Sequence, residues 1–219
     1  MTDTAALYGL RLGTPRLELR LGSHDELIEL AKLAEGGVHP DEEMPFAVAW
    51  TDGIGQPDFI DEFVAFHKRH LDRWSPQDWT LNLLVWEANE LAGTQELFAR
   101  RFAYRFEVGT GSWLGSVFQR RGIGTEMRAA VLEFAFRGLG AVRAESSWLE
   151  GNEASRRVSE KLGYVEYALG TKSPRGAPVV EHGVEIERSA WRSPVPVEIE
   201  GLEPCLSLFG LSEATSGPS

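Results

Sequence analysis

The spacing of apolar positions changes period several times along the chain, and each change marks an element. Over Arg11 to Gly22, Leu17, Leu19 and Leu21 alternate with Glu18 and Arg20, the period-two pattern of a half-buried strand. Ser23 then stands three residues ahead of Glu26, as in a capping box. Leu27, Leu30, Ala31 and Ala34 follow at helical spacing until Gly36 and Gly37 stop the run. Residues 38–57, rich in Pro, Gly and acids, read as a long ordered loop with room for one helical turn. A second helix is predicted from about Asp58 to Trp74, with Phe59, Phe63, Phe66 and His70 on one face.

Residues 79–118 read as a meander of three strands, with one tight turn at Asn89 and Glu90 and another at Gly109 to Gly111. From Thr125 the period is helical again, with Met127, Ala130, Val131 and Phe134 on one stripe and Gly138 and Gly140 at its end. Ala141 to Leu149 is strand-like. Asn152 can cap a helix bearing Ala154, Val158 and Leu162, with Gly163 placed for a left-handed C-terminal cap. Two more strands are predicted at Tyr164 to Leu169 and Val179 to Arg188. The result is a mixed α/β sheet of about seven strands with helices on both faces. Beyond Ser193, the alternating Val195, Val197 and Ile199 suit an extra edge strand or an oligomer contact, and the final SEATSGPS reads as disordered.

The chain of 219 residues is long enough for one well-buried domain with an appendage. It lacks an apolar run of membrane-spanning length and a basic-then-apolar leader, so a cytoplasmic protein is expected. A formal net charge of −11 argues against a broad nucleic-acid surface. Cys205 is the only cysteine, which excludes an internal disulfide framework and any multi-cysteine metal site; its context, EPCLSLFG, reads as a small buried side chain. His67 and His70 stand three apart on a predicted helix without a third ligand at a recognisable spacing, so no metal is expected.

Against this acidic background, Gln119 to Arg128 holds three Arg and one Glu. In VFQRRGIGTEMRAA, a strand runs through a glycine turn into a helix. That geometry aims unpaired first-turn N–H groups and the positive end of the helix dipole at one point, where an anion belongs. Gly122 and Gly124 allow close backbone approach, and Arg120 and Arg121 add forked donors that suit phosphate oxygens. A plain turn with solvated arginines is the simpler reading of the glycines alone. Neither GxxxxGK[ST] nor GxGxxG is present.

QRRGIG resembles the Q/R-x-x-G-x-G/A motif of the GNAT superfamily of acyl-coenzyme A-dependent N-acyltransferases. The resemblance runs over roughly residues 12 to 192 and is most specific at GTQEL (93–97), SWLGSVFQRRGIGTEMRAAVLEFAF (112–136) and NEASRRVSEKLGY (152–164). It points to the branch of the RimJ/RimL-type ribosomal-protein N-terminal acetyltransferases. It implies the GNAT fold, a mostly antiparallel mixed sheet, in a domain of residues 1–192 with a C-terminal extension at 193–219. It also implies that Gln119, Arg120, Arg121, Gly122, Ile123, Gly124 and Thr125 hold the coenzyme A pyrophosphate. Trp113 to Phe118, including Val117, would line the pantetheine arm, with a backbone N–H of Leu114 or Gly115 polarising the thioester carbonyl of a bulged fourth strand.

By the same resemblance Ser155 protonates the departing thiolate and Asn152 faces the cofactor. Glu96, Glu107 and His182 are candidate bases, although each is equally readable as an ordinary strand residue. An α-amine with pKa near 8 needs about 1 kcal/mol to lose its proton at pH 7, and a lysine near 10.4 about 4 to 5 kcal/mol. The donor is expected to be acetyl-CoA or, with Arg100, Arg101 or Arg105 receiving a terminal carboxylate, succinyl-CoA. The acceptor is a primary amine, on a protein N-terminus or a small molecule, and the loop acids Asp41, Glu42, Glu43 and Asp52 can attract it by their field. The contrasting reading is a non-catalytic coenzyme A-binding module. The oligomeric state stays open at this point, and the apolar segment from Val195 to Phe209 is compatible with a homo-oligomer.

Overall fold

The first alternating segment folds as a hairpin rather than one strand in the computed structural model, which describes residues 2–211. β1 (Arg11–Gly13) and β2 (Leu17–Arg20) pair antiparallel, and between them Thr14 Oγ1 accepts from the Leu17 amide. α1 (His24–Glu35) begins with the predicted capping box: Ser23 Oγ accepts from the Glu26 amide and the Glu26 carboxylate from the Ser23 amide. Arg20 grips the same carboxylate at 2.5 Å, and this bond, with the capping amides, pulls the Glu26 pKa down to about 2. The strand and helix are thereby locked where they meet.

The loop that follows is ordered by aromatic packing. Phe46 and Trp50 lie 5.3 Å apart, and Trp50 lies 5.9 Å from Phe63 on α2 (Phe59–Asp72) and 5.4 Å from Trp113. β3 (Asp78–Glu87) and β4 (Glu90–Arg100) form a long hairpin that turns through Ala88 and Asn89, both left-handed. One turn of helix, α3 (Phe102–Arg105), leads into β5 (Glu107–Leu114). The turn expected at Gly109 to Gly111 is therefore absent, and both glycines lie within β5. Gly109 is small because Phe98 of β4 lies across it: a Cβ there would fall 2.2 Å from the ring.

α4 (Ile123–Glu133) continues into a π turn, Phe134–Gly138, and β6 (Arg143–Leu149) follows. Asn152 caps α5 (Glu153–Leu162), and Gly163 closes it at φ 84°. β7 (Val165–Lys172), β8 (Val179–Glu187) and β9 (Glu198–Glu200) complete one nine-stranded sheet among the described residues, two strands more than expected. Its order is β7-β8-β6-β5-β4-β3-β2-β1-β9, and only β5 and β6 run parallel. The α1–α2 pair packs with Leu84, Trp86 and Trp113 on one face; α4 and α5 pack with Leu81, Leu83, Val85 and Leu97 on the other.

The segment after Ser193 joins this core. Ile199 of β9 pairs with Leu12 of β1, and the 3-10 turn Glu203–Phe209 seats Cys205, Leu208 and Phe209 in buried positions. Phe209 meets the rings of Trp74, Trp79 and Phe134, and Trp74 Nε1 donates to the Leu208 carbonyl at 2.8 Å. Of the alternating Val195, Val197 and Ile199, only Ile199 lies in a strand. Cys205 is fully buried beside the Gly201 carbonyl, with its thiol pKa pushed up by burial. SEATSGPS lies outside the described residues. Among the described residues, no helix is long and apolar enough to cross a membrane, and no three His, Cys, Asp or Glu side chains are grouped to hold a metal.

Candidate active site

The parallel strands β5 and β6 stay paired for only three positions, Glu107–Arg143, Val108–Ala144 and Gly109–Glu145, and then part. β5 meanwhile keeps an unbroken antiparallel register with β4 as far as Gly93–Leu114. The bulge expected in this strand is found instead between β3 and β4, at Val85 and Trp86. β5 therefore presents one unpaired edge toward a wedge that opens between it and β6.

Hydrogen bonding on the β4 side identifies which amides face that wedge. The Gly115 amide donates to the Ala92 carbonyl at 3.0 Å, so it is spent on the fold. Antiparallel ladders alternate inward and outward groups, which puts Trp113 on the β4 side with Gly115 and turns the Leu114 and Ser112 amides outward. Of the Leu114 and Gly115 amides, that of Leu114 has no backbone partner among the described residues. Gly115 has a packing reason to be glycine: a Cβ would fall 2.7 Å from Leu33 of α1. The Trp113 side chain points away from α4 into the aromatic wall, so only its backbone borders the wedge.

The turn into α4 closes the end of the wedge. Arg120 (φ 60°) and Gly122 (φ 84°) adopt left-handed backbone, and Gly122 offers α4 no side-chain cap. The Thr125 and Glu126 amides return to the Gly122 carbonyl, whereas the Ile123 and Gly124 amides, ahead of the first intrahelical bond, have no such return. The Ile123 side chain is fully buried, so only its amide can serve a ligand. Gly124 sits where three elements meet: a Cβ there would lie 3.6 Å from Val158 of α5 and 3.9 Å from Leu114.

The two arginines divide in role. Arg121 pairs with Glu87 at 2.6 Å and covers the Phe118 ring, while Arg16 joins Glu87 to Glu126 and donates to the Arg121 carbonyl. Arg120 makes no ion pair among the described residues, and it is the arginine available to an anion. Gln119 acts on the protein itself: its amide donates to the carbonyls of Val38 and Leu114, at 2.6 and 2.9 Å. It thus ties the ordered loop to the end of β5. Val117 is exposed beside this junction.

On the α5 side, Asn152 Oδ1 accepts from the Ser155 amide, and Asn152 Nδ2 donates to the Pro45 carbonyl at 3.2 Å. The loop is thereby fastened to both walls of the wedge, a role of Gln119 and Asn152 that spacing alone does not reveal. Ser155 is half-buried. On the α1–α2 face, Glu96 of β4 is half-buried opposite Asn82 and Gly111, with no ion pair or hydrogen bond from its carboxylate among the described residues. Burial pushes its pKa up, with the charge of Arg100 acting the other way. Beyond it, an open groove of about 410 Å³ crosses β4, β5, β6, β8 and β7, lined in part by Phe98, Glu107, Glu145, Tyr167 and Glu181.

Several expected residues stand elsewhere. Glu107 is held by Arg105 and Arg143, so its carboxylate is occupied within the sheet. His182 stacks on Trp148 at 3.7 Å, and its two ring nitrogens bond Glu150 and Glu166. Those carboxylates raise its pKa and favour the imidazolium, which cannot accept a proton. Arg105 is committed to Glu107, while Arg100 and Arg101 are exposed at the far end of β4. Asp52 is engaged by Arg175, from the β7–β8 connection, at 2.6 Å, and the same guanidinium donates to the carbonyls of Asp41 and Glu43. This part of the acidic loop therefore carries its own counter-charge. His67 is buried, with a pKa lowered to about 4, and His70 bonds Asn82.

A family model for the acetyltransferase (GNAT) domain matches residues 16–165, more than half of the chain. The chain belongs to the GNAT acetyltransferase family. Its fold is shared by Mycobacterium smegmatis RimJ in complex with CoA-disulfide, at 17% identity and TM-score 0.66, with 86% of this chain and 92% of that one covered. A RimL ribosomal L7/L12 alpha-N-protein acetyltransferase in complex with coenzyme A matches at 16% identity and TM-score 0.60, covering 78% and 94%. A GCN5-related N-acetyltransferase from Brucella melitensis matches at 16% identity and TM-score 0.63, covering 83% and 80%. As a GNAT protein the chain is an acyl-CoA-dependent acetyltransferase.

Proposed function

We propose that this GNAT protein transfers an acyl group, acetyl or succinyl, from coenzyme A to a primary amine by direct attack in a ternary complex. The observation that carries the reading is the wedge between β5 and β6, closed at one end by the uncapped α4 terminus with Arg120 free beside it. The pyrophosphate lies on the amides of Gly122 to Thr125, and the pantetheine arm runs along the open edge of β5. The Leu114 N–H polarises the thioester carbonyl.

The neutral amine approaches from the Glu96 face and attacks the thioester carbon. A C–N bond forms and the C–S bond breaks. The amine gives up its proton toward Glu96, directly or through water, and the coenzyme A sulfur takes one from Ser155, which recovers it from solvent. The lone cysteine is buried against Gly201, so no thiol stands at the wedge to form a covalent acyl-enzyme. Protein N-termini are the favoured acceptors, because an α-amine demands less of the base than lysine does.

The test is thiol release from acetyl-CoA and succinyl-CoA with a panel of peptide N-termini and small amines, followed by intact mass of the enzyme. Release that depends on the amine, with no acyl mass retained on the protein, supports direct transfer. Binding of coenzyme A without release for any amine would favour the non-catalytic module.

A further inference from the structure

α4 carries a buried charge that the proposed reaction does not use. Arg128 is 4% exposed, and its guanidinium reaches both parting strands: Nη1 donates to Ser146 Oγ of β6 and Nη2 to Ser112 Oγ of β5, each at 3.1 Å. No carboxylate pairs with it among the described residues, and Nε makes no hydrogen bond. The buried Ser159 hydroxyl on α5 also has no partner among the described residues.

A buried charge is costly unless an opposite charge meets it. Even half-buried arginines of this chain are paired: Arg20 has Glu18 and Glu26, and Arg143 has Glu107, Glu145 and Glu185. Burial lowers the Arg128 pKa, yet a guanidinium starts so high that it stays charged. Among the described residues no opposite charge meets it, and an anionic ligand entering the wedge can supply one.

Its approach is set by the two serines. Ser112 and Ser146 are half-buried and lie just past the last β5–β6 pair, where the wedge opens. Ser112 precedes Leu114 by two residues on the same edge of β5, about 7 Å at roughly 3.4 Å per residue. A thioester carbonyl held at the Leu114 amide can thus send its acyl chain back along the strand toward Arg128. An acetyl methyl stops short of the guanidinium. A chain with two further carbons, the last a carboxylate, spans the gap.

We propose that Arg128 binds the terminal carboxylate of a short dicarboxylic acyl group on coenzyme A, with Ser112 and Ser146 holding the guanidinium at the back of the wedge. The proposal rests on the acyl-CoA reading above, and it replaces Arg100, Arg101 and Arg105 as the source of positive charge.

Calorimetric titration of the full chain with coenzyme A, acetyl-CoA, butyryl-CoA and succinyl-CoA tests it. Butyryl has the same four carbons without the carboxylate. A charge-assisted pair in a buried setting predicts that succinyl-CoA binds tighter than butyryl-CoA by roughly 10- to 100-fold. In Arg128→Met this ratio falls to about one while free coenzyme A still binds; in Arg128→Lys, which keeps the charge and loses the fork, it takes an intermediate value. Equal binding of succinyl- and butyryl-CoA by the wild type overturns the proposal, and that comparison stands even if the variants fail to fold. A preference unchanged in folded Arg128→Met overturns it too. Failure of coenzyme A and all three thioesters to bind overturns the acyl-CoA reading itself.

Discussion

Replacing Glu96 by Gln keeps the shape of the side chain and removes its charge, and the structure predicts opposite signs for its effects on activity and stability. Glu96 is half-buried with no partner for its carboxylate among the described residues, and burial raises its pKa. A carboxyl with a raised folded pKa costs the native state stability once the pH exceeds the unfolded value, where the unfolded chain ionises freely and the folded one resists. Glu96→Gln should therefore melt at the same temperature as the wild type or higher at pH 7 to 8. As general base, the same group is expected to contribute 10²- to 10⁴-fold, about 3 to 5 kcal/mol at 1.36 kcal/mol per decade. The acceptor selects within that range. About a tenth of an α-amine with pKa near 8 is already neutral at pH 7, so water can stand in and the loss is about 100-fold; a lysine near 10.4 has no such reserve and the loss is larger. The assay is kcat/KM by thiol release from pH 5 to 9, beside a thermal melt. In the wild type the acid limb sits above the ordinary carboxylate range, and in Glu96→Gln it disappears. Activity within threefold of wild type with the limb unmoved would refute the role of Glu96. Lost activity with a lowered melting temperature would indicate a packing residue instead.

Ser155→Ala should lower kcat by about 10- to 100-fold and leave coenzyme A affinity within twofold, measured by steady-state kinetics and calorimetry, since the proton it supplies is needed only as the thiolate leaves. Arg120→Ala should weaken coenzyme A binding by about 5- to 20-fold, as expected for one exposed charge-assisted contact, with the loss shrinking at high salt. Arg121→Ala should cost stability more than affinity, because Arg121 is occupied with Glu87. Phe209→Ala should destabilise the fold by about 3 to 5 kcal/mol in urea unfolding, although it lies beyond the matched family segment, because Phe209 is fully buried among Trp74, Trp79 and Phe134. Glu26→Gln should cost about 1 to 2 kcal/mol at pH 7, less than the full pKa shift because the carboxylate borders solvent. Since the folded pKa of Glu26 is depressed to about 2 from 4.5, that difference should close as the pH falls between those values.

What the sequence made legible was local. The capping box at Ser23, the Asn152 cap, the Gly163 stop and the stripe from Met127 to Phe134 each follow from contacts within a few residues, and each element formed where it was read. The glycine turn was legible for the same reason, since a left-handed Gly122 ahead of an uncapped helix is a property of one short segment. Long-range pairing was not legible. Gly109 and Gly111 look like a turn until Phe98 and Glu96 are seen across the strand. The choice between Leu114 and Gly115 depends on Ala92, and the commitment of Arg121 depends on Glu87. In the sequence Arg128 is only one of three arginines between Gln119 and Arg128, because its helical position alone does not show the two serines that hold its guanidinium. The C-terminal segment alternated like a strand, but its value to the core lies in Trp74 and Trp79, far away in the chain.

The central claim is that the wedge between β5 and β6, with the α4 terminus, is the coenzyme A site. A crystal structure of the chain grown with coenzyme A tests it most directly. The account predicts the pyrophosphate within hydrogen-bond distance of the amides of Gly122 to Thr125, and the pantetheine arm along the open edge of β5 as far as Leu114. Coenzyme A bound elsewhere, or a wedge left empty at millimolar coenzyme A, would contradict it.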